Sequence, residues 1–212
     1  MVIAIDGPAG AGKSTVARGV ADALGFTYLD SGAMYRCVAL AALERGIDVE
    51  NGERLGELAW SLDIGFEGDS IRLNGESVGG KIRSPAVTIA ASHVSVHPQV
   101  RQAMVKRQRE LIAAGNYVAE GRDIGTVVSP DSPLKIFLTA AEEERARRRA
   151  ADSGESVAEV RKAIRDRDRR DQHRADSPLR TAEDSIYVDT TDRTPDQVVE
   201  EIAELARKRG IA

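Results

Sequence analysis

Residues 7–14 read Gly-Pro-Ala-Gly-Ala-Gly-Lys-Ser and fit G-x-x-x-x-G-K-[ST], the pattern of a phosphate-binding loop. Such a loop dictates its surroundings. Its glycines let the backbone curl until successive N–H groups converge on phosphate oxygens. Lys13 supplies a point charge for the β- and γ-phosphates, and the Ser14 hydroxyl is placed to ligate Mg²⁺. The chain must enter the loop from a buried strand and leave it at a helix N-terminus, where the dipole favours an anion. Val2-Ile3-Ala4-Ile5 reads as that strand, and Thr15 to Leu24 as that helix. Gly7, Pro8, Ala9, Gly10, Ala11, Gly12, Lys13, Ser14 and Thr15 are therefore the expected contacts to a nucleoside triphosphate.

The chain's 212 residues, 42% hydrophobic and 30% charged, suit one sizeable soluble domain with insertions. A net charge of −4 gives it no overall electrostatic claim on nucleic acid. Cys37 is the only cysteine, so an intrachain disulfide and a cysteine zinc cluster are excluded. No apolar run approaches the ~20 residues that span a bilayer. The first strand starts at residue 2, which is read as leaving no room for a signal or transit peptide. The expectation is a cytoplasmic monomer with no membrane and no nucleic-acid partner.

Strand and helix signals alternate along most of the chain. Gly25 ends the first helix, Phe26 to Leu29 is β-like, and a helix runs from Asp30-Ser31-Gly32 to about Glu44. A third helix carries Leu55, Leu58, Ala59 and Leu62 on one face. Residues 62–80 differ: they are short, alternating and Gly-rich, with Asn74-Gly75 as a hairpin signal. Ser84-Pro85 and His97-Pro98 open two further helices. Tyr117-Val118-Ala119, Leu134 to Leu138 and Ser185 to Asp189 are strands, and Thr194-Pro195-Asp196-Gln197 caps the last helix. The predicted architecture is α/β: a P-loop, doubly wound parallel five-stranded sheet with flanking helices, a β-containing insert and a short helical lid.

Ligands in such sheets bind at the carboxyl ends of the strands. Three polar segments fall there: Asp30 to Arg36, Glu120-Gly121-Arg122-Asp123, and Ala141 to Arg149. Glu142-Glu143-Glu144 starts a helix favourably for its dipole, and Arg145, Arg147, Arg148 and Arg149 follow. An arginine-loaded segment ending in Asp-Ser-Gly fits a lid closing over phosphates. A helix capped by Ser156 and Glu159 carries Val157, Val160 and Ile164 as an apolar stripe. Helical spacing continues the stripe onto Arg167, Asp171 and Arg174. Inward charges need a charged partner or a wet cleft, which an anionic nucleotide would supply.

These residues resemble the bacterial cytidylate kinases, nucleoside monophosphate kinases of the P-loop class. The resemblance rests on Ile5-Asp6-Gly7-Pro8 into Gly12-Lys13-Ser14, on Leu29 to Arg36, and on Glu120-Gly121-Arg122-Asp123-Ile124-Gly125-Thr126-Val127-Val128. Lys135 to Leu138 and Arg167-Asp168-Arg169-Arg170-Asp171 with Arg174 complete it. Two departures are minor: Glu120 stands where aspartate is also common, and the lid is short. The resemblance implies transfer of the γ-phosphoryl group of ATP, with Mg²⁺, to CMP or dCMP. It implies Lys13, Arg36, Arg122, Arg148 and Arg149 at the reacting phosphates, with Ser92, Arg101 and Asp123 reading cytosine and Arg174 nearby. Arg167 and Asp171 match positions at the sugar, and Ser31 is expected to touch the nucleotide. It divides the chain into a core (1–27, 97–140 and 156–212), a monophosphate-binding domain (28–96, with the β insert at about 62–80) and a lid (141–155).

Other readings are a phosphate-loop kinase for another small acceptor such as shikimate, a GTP switch and a nucleic-acid binder. The β-rich insert with Ser92, Arg101 and Asp123 opposes the first. The absence of Asn-Lys-x-Asp opposes the second, and the acidic balance opposes the third.

Overall fold

The computed structural model describes residues 1–68 and 70–211. Residue 69 of the expected insert and residue 212 of the expected core lie outside them. The chain forms two compact units, Met1–Leu29 with Ile112–Ala212, and Asp30–Leu111. The second unit takes in α5 (Pro98–Ile112) up to Leu111, whereas the boundaries implied by the resemblance assign 97–140 to the core.

The larger unit is built on a five-stranded sheet of β1 (Val2–Asp6), β2 (Thr27–Asp30), β6 (Tyr117–Gly121), β7 (Leu134–Thr139) and β8 (Ile186–Asp189), in the order β2-β6-β1-β7-β8. β1 pairs in parallel with β6 and β7, and β7 with β8. All five residues of β1 are buried, as a central parallel strand covered on both faces requires. α1 (Lys13–Leu24) and α8 (Pro195–Lys208) lay Val16, Val20, Val198 and Ile202 into one core with Ile3, Ile5 and Ile136. α6 (Glu142–Ser153) and α7 (Val157–His173) form an antiparallel hairpin, and the capping boxes expected at Ser156 and Thr194 are both made. With β6 and β7 on either side of β1, the segments after these three strands meet at one end of the sheet.

The smaller unit holds α2 (Ser31–Glu44), α3 (Gly52–Ser61), α4 (Pro85–Val94), α5 and a three-stranded antiparallel sheet. That sheet is the insert read from the sequence: β3 (Ile64–Glu67), β4 (Ser70–Leu73) and β5 (Glu76–Ser77). Asn74 and Gly75 both take positive φ, 51° and 84°, as a two-residue hairpin with right-handed strand twist demands. α2 is apolar around most of its circumference, with Met34, Cys37, Val38 and Leu40 buried, and packs against α4.

Candidate active site

The loop after β1 is shaped by close contacts that only glycine permits. A Cβ on Gly7 would run into the Leu138 carbonyl oxygen, and one on Gly10 would lie 2.9 Å from the Arg145 carbonyl oxygen. Gly12 starts α1 without a side-chain cap, which leaves the N-terminal amides of the helix to an anion. Lys13 is buried and its Nζ donates to the Pro8 carbonyl at 2.8 Å. Burial, then the Arg122 charge, pulls its pKa from 10.5 down to about 7, against the opposing field of Glu120. Ser14 and Thr15 are exposed on the first turn of α1.

Arg122, just past β6, joins this loop to α7. Its Nη1 donates to the Gly7 carbonyl at 2.9 Å and its Nε to Asp171 Oδ2 at 2.7 Å. Burial works against the guanidinium charge. Asp171, followed by Asp168 and Glu120, more than offsets it and raises its pKa. Burial likewise opposes the charge of Asp171, but Arg122 and Arg167 hold its pKa below the usual carboxylate value. The other oxygen of Asp171 lies 3.8 Å from Arg174 Nη1, and Arg174 Nη2 lies 3.2 Å from Asp123 Oδ1. Arg174 Nε donates to the Ser177 carbonyl at 2.6 Å. A buried network thus runs from Gly7 through Arg122, Asp171 and Arg174 to Asp123.

Asp123 is aimed by a π-helical turn, Ile124–Val128, a rare geometry that is frequent at functional sites. The turn is anchored by Asp6 at the end of β1. Asp6 Oδ1 accepts from the Ile124 N–H at 2.8 Å and Oδ2 from the Gly125 N–H at 2.7 Å. Burial raises the Asp6 pKa from 3.8 to about 6, against the two backbone N–H bonds that favour its charge.

The arginine helix α6 divides by face. Arg145 and Arg148 share the engaged one: Arg145 donates to the Ala9 carbonyl and to Asp168, and Arg148 is held by Glu144 at 2.9 Å and by the Thr190 hydroxyl and carbonyl at 2.9 and 2.7 Å. Arg149 is exposed. On α7, helical spacing from Ile164 leads to Arg167 at i+3 and Asp168 at i+4. Asp168 is the buried one, and Arg167 is half-buried, with its charge felt by Lys13 and Asp171. Asp171 and Arg174 are buried, as the stripe predicts.

Ser31, Arg36, Ser92 and Arg101 belong to the smaller unit. Asp30 caps α2 by accepting from the Ala33 N–H at 2.9 Å, which places Ser31 and Arg36 on the first turns of that helix. Ser92 is buried on α4 and Arg36 is half-buried. Arg101 is only 1% exposed, unusual for arginine. Its guanidinium lies 5.5 Å from the centre of the Tyr35 ring and its Nη1 donates to the Ser95 carbonyl at 3.4 Å.

Asp6, Arg145, Asp168 and Thr190 hold the loops in place and are absent from the site residues read in the sequence. The quoted motifs contain Asp6 and Asp168, and the arginine run contains Arg145, but no local pattern marks which of their neighbours face inward.

A parallel sheet whose first strand passes through this loop into a helix defines a P-loop fold. Among solved structures, a gluconokinase from Sinorhizobium meliloti matches at a TM-score of 0.53 and 14% identity, over 99% of this chain and 93% of that one. A shikimate kinase from Acinetobacter baumannii matches at 0.51 and 16%, over 100% and 95%. These likenesses are of fold. The family model of cytidylate kinase matches residues 3–208. Cytidylate kinases from Exiguobacterium sibiricum and Mycolicibacterium paratuberculosis are each 49% identical to the chain, covering 96% and 99% of it and 96% of their own length. The chain belongs to the cytidylate kinase family and is a phosphotransferase. Among the described residues no helix is long and apolar enough to cross a membrane.

Proposed function

We propose that this enzyme transfers the γ-phosphoryl group of ATP to CMP or dCMP, giving CDP or dCDP and ADP, in pyrimidine nucleotide metabolism. The observation that carries the reading is the charged network from the Gly7 carbonyl through Arg122, Asp171 and Arg174 to Asp123. It connects a triphosphate loop to a carboxylate suited to the cytosine amine.

The acceptor is itself a phosphate, largely dianionic at neutral pH because its second pKa is about 6. No general base is needed. The protein must neutralise and align two anions that repel each other. The loop from Gly7 to Thr15 wraps the ATP phosphates, its amides from Gly10 onward donating to them, and Lys13, its charge held down by burial, gains its full proton against them. Arg36 and Arg122 take the acceptor phosphate, where a planar fork suits bidentate contact. Arg148 and Arg149 serve the transferring group. Arg148 Nη1 would lie 3.7 Å from a Cβ on Gly12, so its guanidinium already stands beside the loop. The Ser14 hydroxyl is an exposed oxygen donor at the first turn of α1 and would hold Mg²⁺. The ion neutralises phosphate oxygens when bound.

Asp123 accepts from the cytosine amine and repels the carbonyl that uracil carries there, while Ser92, Arg101 and Arg174 serve the remaining base edge. Arg167 and Asp171 serve the sugar, and Ser31 touches the nucleotide. Residues 28–96 act as the monophosphate-binding domain and 141–155 as a lid that keeps water from the phosphoryl group. The enzyme works as a cytoplasmic monomer without nucleic-acid or membrane partners. A coupled ADP-release assay with CMP, dCMP, UMP, AMP and shikimate tests the reading. CMP and dCMP are expected to exceed UMP at least about 100-fold in kcat/KM. Phosphorylation of shikimate without phosphorylation of CMP would sink it.

A further inference from the structure

We infer that Asp168 and Arg145 are positioning residues that fix the phosphate loop through Ala9, and so make the α6–α7 hairpin a determinant of ATP use. Ala9 is held on every side by this hairpin. Its N–H donates to Asp168 Oδ1 at 2.9 Å, and its carbonyl accepts from Arg145 Nη1 at 2.8 Å. The same Nη1 donates to Asp168 Oδ2 at 2.6 Å, closing a ring of three bonds. The Ala9 methyl packs into a small apolar cluster with Ala150 of α6 and Val160 and Ile164 of α7. At the next residue, a Cβ on Gly10 would meet the Arg145 backbone.

The charges in this ring are desolvated, with both side chains 11% exposed. Removing either therefore leaves its partner, and one backbone group of Ala9, without compensation. The Ala9 N–H is spent on a carboxylate rather than turned to a phosphate. Its work is to fix the peptide from which the next loop amides take their direction. Arg161 and Arg165 brace the arrangement from outside, each bonded at 2.7 Å to Glu142 at the start of α6. The hairpin is thereby tied internally and to the loop at one residue. Preorganised donors lose much of their value when displaced by about 1 Å, so a change at this distance from the phosphates reads out in nucleotide use.

The inference rests on the loop being the ATP site, and the test separates the two. Wild-type enzyme is first shown to phosphorylate CMP; failure there overturns the proposed function and not the clamp. Asp168→Ala is then expected to lower kcat/KM for ATP at least about 10-fold while KM for CMP stays within about threefold. Asp168→Asn, which keeps an acceptor for the Ala9 N–H, should recover part of that loss. Arg145→Met should resemble Asp168→Ala, and the double variant should fall about twofold or less below the poorer single one, because both remove the same ring. If Asp168→Ala does not fold, Asp168→Asn and Arg145→Met carry the test, each expected to raise KM for ATP at least about threefold. Lowered thermal midpoints with kcat/KM for ATP unchanged, or equal losses toward ATP and CMP, would overturn it.

Discussion

Arg122 and Asp171 form a buried ion pair at 2.7 Å, and the same arginine holds the carbonyl of the first glycine of the phosphate loop. Asp171 is also the anion nearest Arg174 on its own helix. Replacing it with alanine leaves the buried Arg122 guanidinium without its ion pair and takes away one of the two carboxylates beside Arg174. Asp171→Ala is expected to cost about 3–5 kcal/mol in urea unfolding, and Asp171→Asn less because one acceptor remains. The sign with pH follows from its depressed pKa: the contribution is complete above the unfolded value of 3.8 and is lost as pH falls below it. Unfolding curves should therefore separate wild type from Asp171→Asn most at pH 7, and the gap should narrow as pH falls below 3.8.

Lys13 shows the opposite case, a functional charge that burial disfavours. With its pKa brought down to about 7, the stability it contributes is present above the unfolded value of 10.5 and is lost as pH falls through 7. At neutral pH and below, the protein bears a buried cation whose counterion is nucleotide phosphate. ATP binding at pH 8 should therefore take up about one proton, shown by calorimetry in buffers of different ionisation enthalpy. Lys13→Met should abolish the uptake and raise the thermal midpoint measured before nucleotide is added. Uptake that persists in Lys13→Met would assign the proton elsewhere.

What the sequence makes legible is what depends on close neighbours in the chain. The loop, the Asn74-Gly75 turn and the caps at Ser156 and Thr194 are each specified within eight residues, and each forms. Asp6 and Asp168 meet their partners across 118 and 159 residues, where no local spacing reaches. The arginine run shows the difference inside one helix. Composition marks the segment, but only packing shows that Arg145 and Arg148, three residues apart and so on one face, are engaged while Arg147 and Arg149 are exposed. The π-helical turn after Asp123 was not legible either, since its geometry is imposed by the Asp6 carboxylate.

That carboxylate gives a prediction of its own. The pKa of Asp6 is raised, so its stabilising contribution is complete below 3.8 and is lost as pH rises through about 6. Measured against Asp6→Asn, in which other titrations cancel, wild type should lose about 2 kcal/mol of relative stability between pH 4 and pH 7, taking ~1.36 kcal/mol per pKa unit. Denaturant unfolding of both proteins at pH 4.5, 5.5 and 7 measures the slope. A flat difference would show that the two N–H bonds from Ile124 and Gly125 outweigh burial.

Asp123 is where stability and base choice can be told apart. Its carboxylate lies against Arg174, which retains Asp171 and the Ser177 carbonyl when Asp123 is neutralised. Asp123→Asn should therefore fold with a modest loss, about 1–2 kcal/mol. Its effect on the reaction should be larger and one-sided. An amide can turn its NH₂ toward the uracil carbonyl, so repulsion of UMP disappears as the charge-assisted bond to the cytosine amine is lost. The expected outcome is a fall of about 100-fold in kcat/KM for CMP, a CMP-over-UMP preference reduced by at least as much, and KM for ATP within about threefold. Asp123→Ala should match it on CMP without the gain toward UMP. Steady-state kinetics of both variants with CMP and UMP at saturating ATP decide the matter. A parallel rise in KM for ATP would move Asp123 from base reading to support of the loop, since the network that carries its charge ends at Gly7.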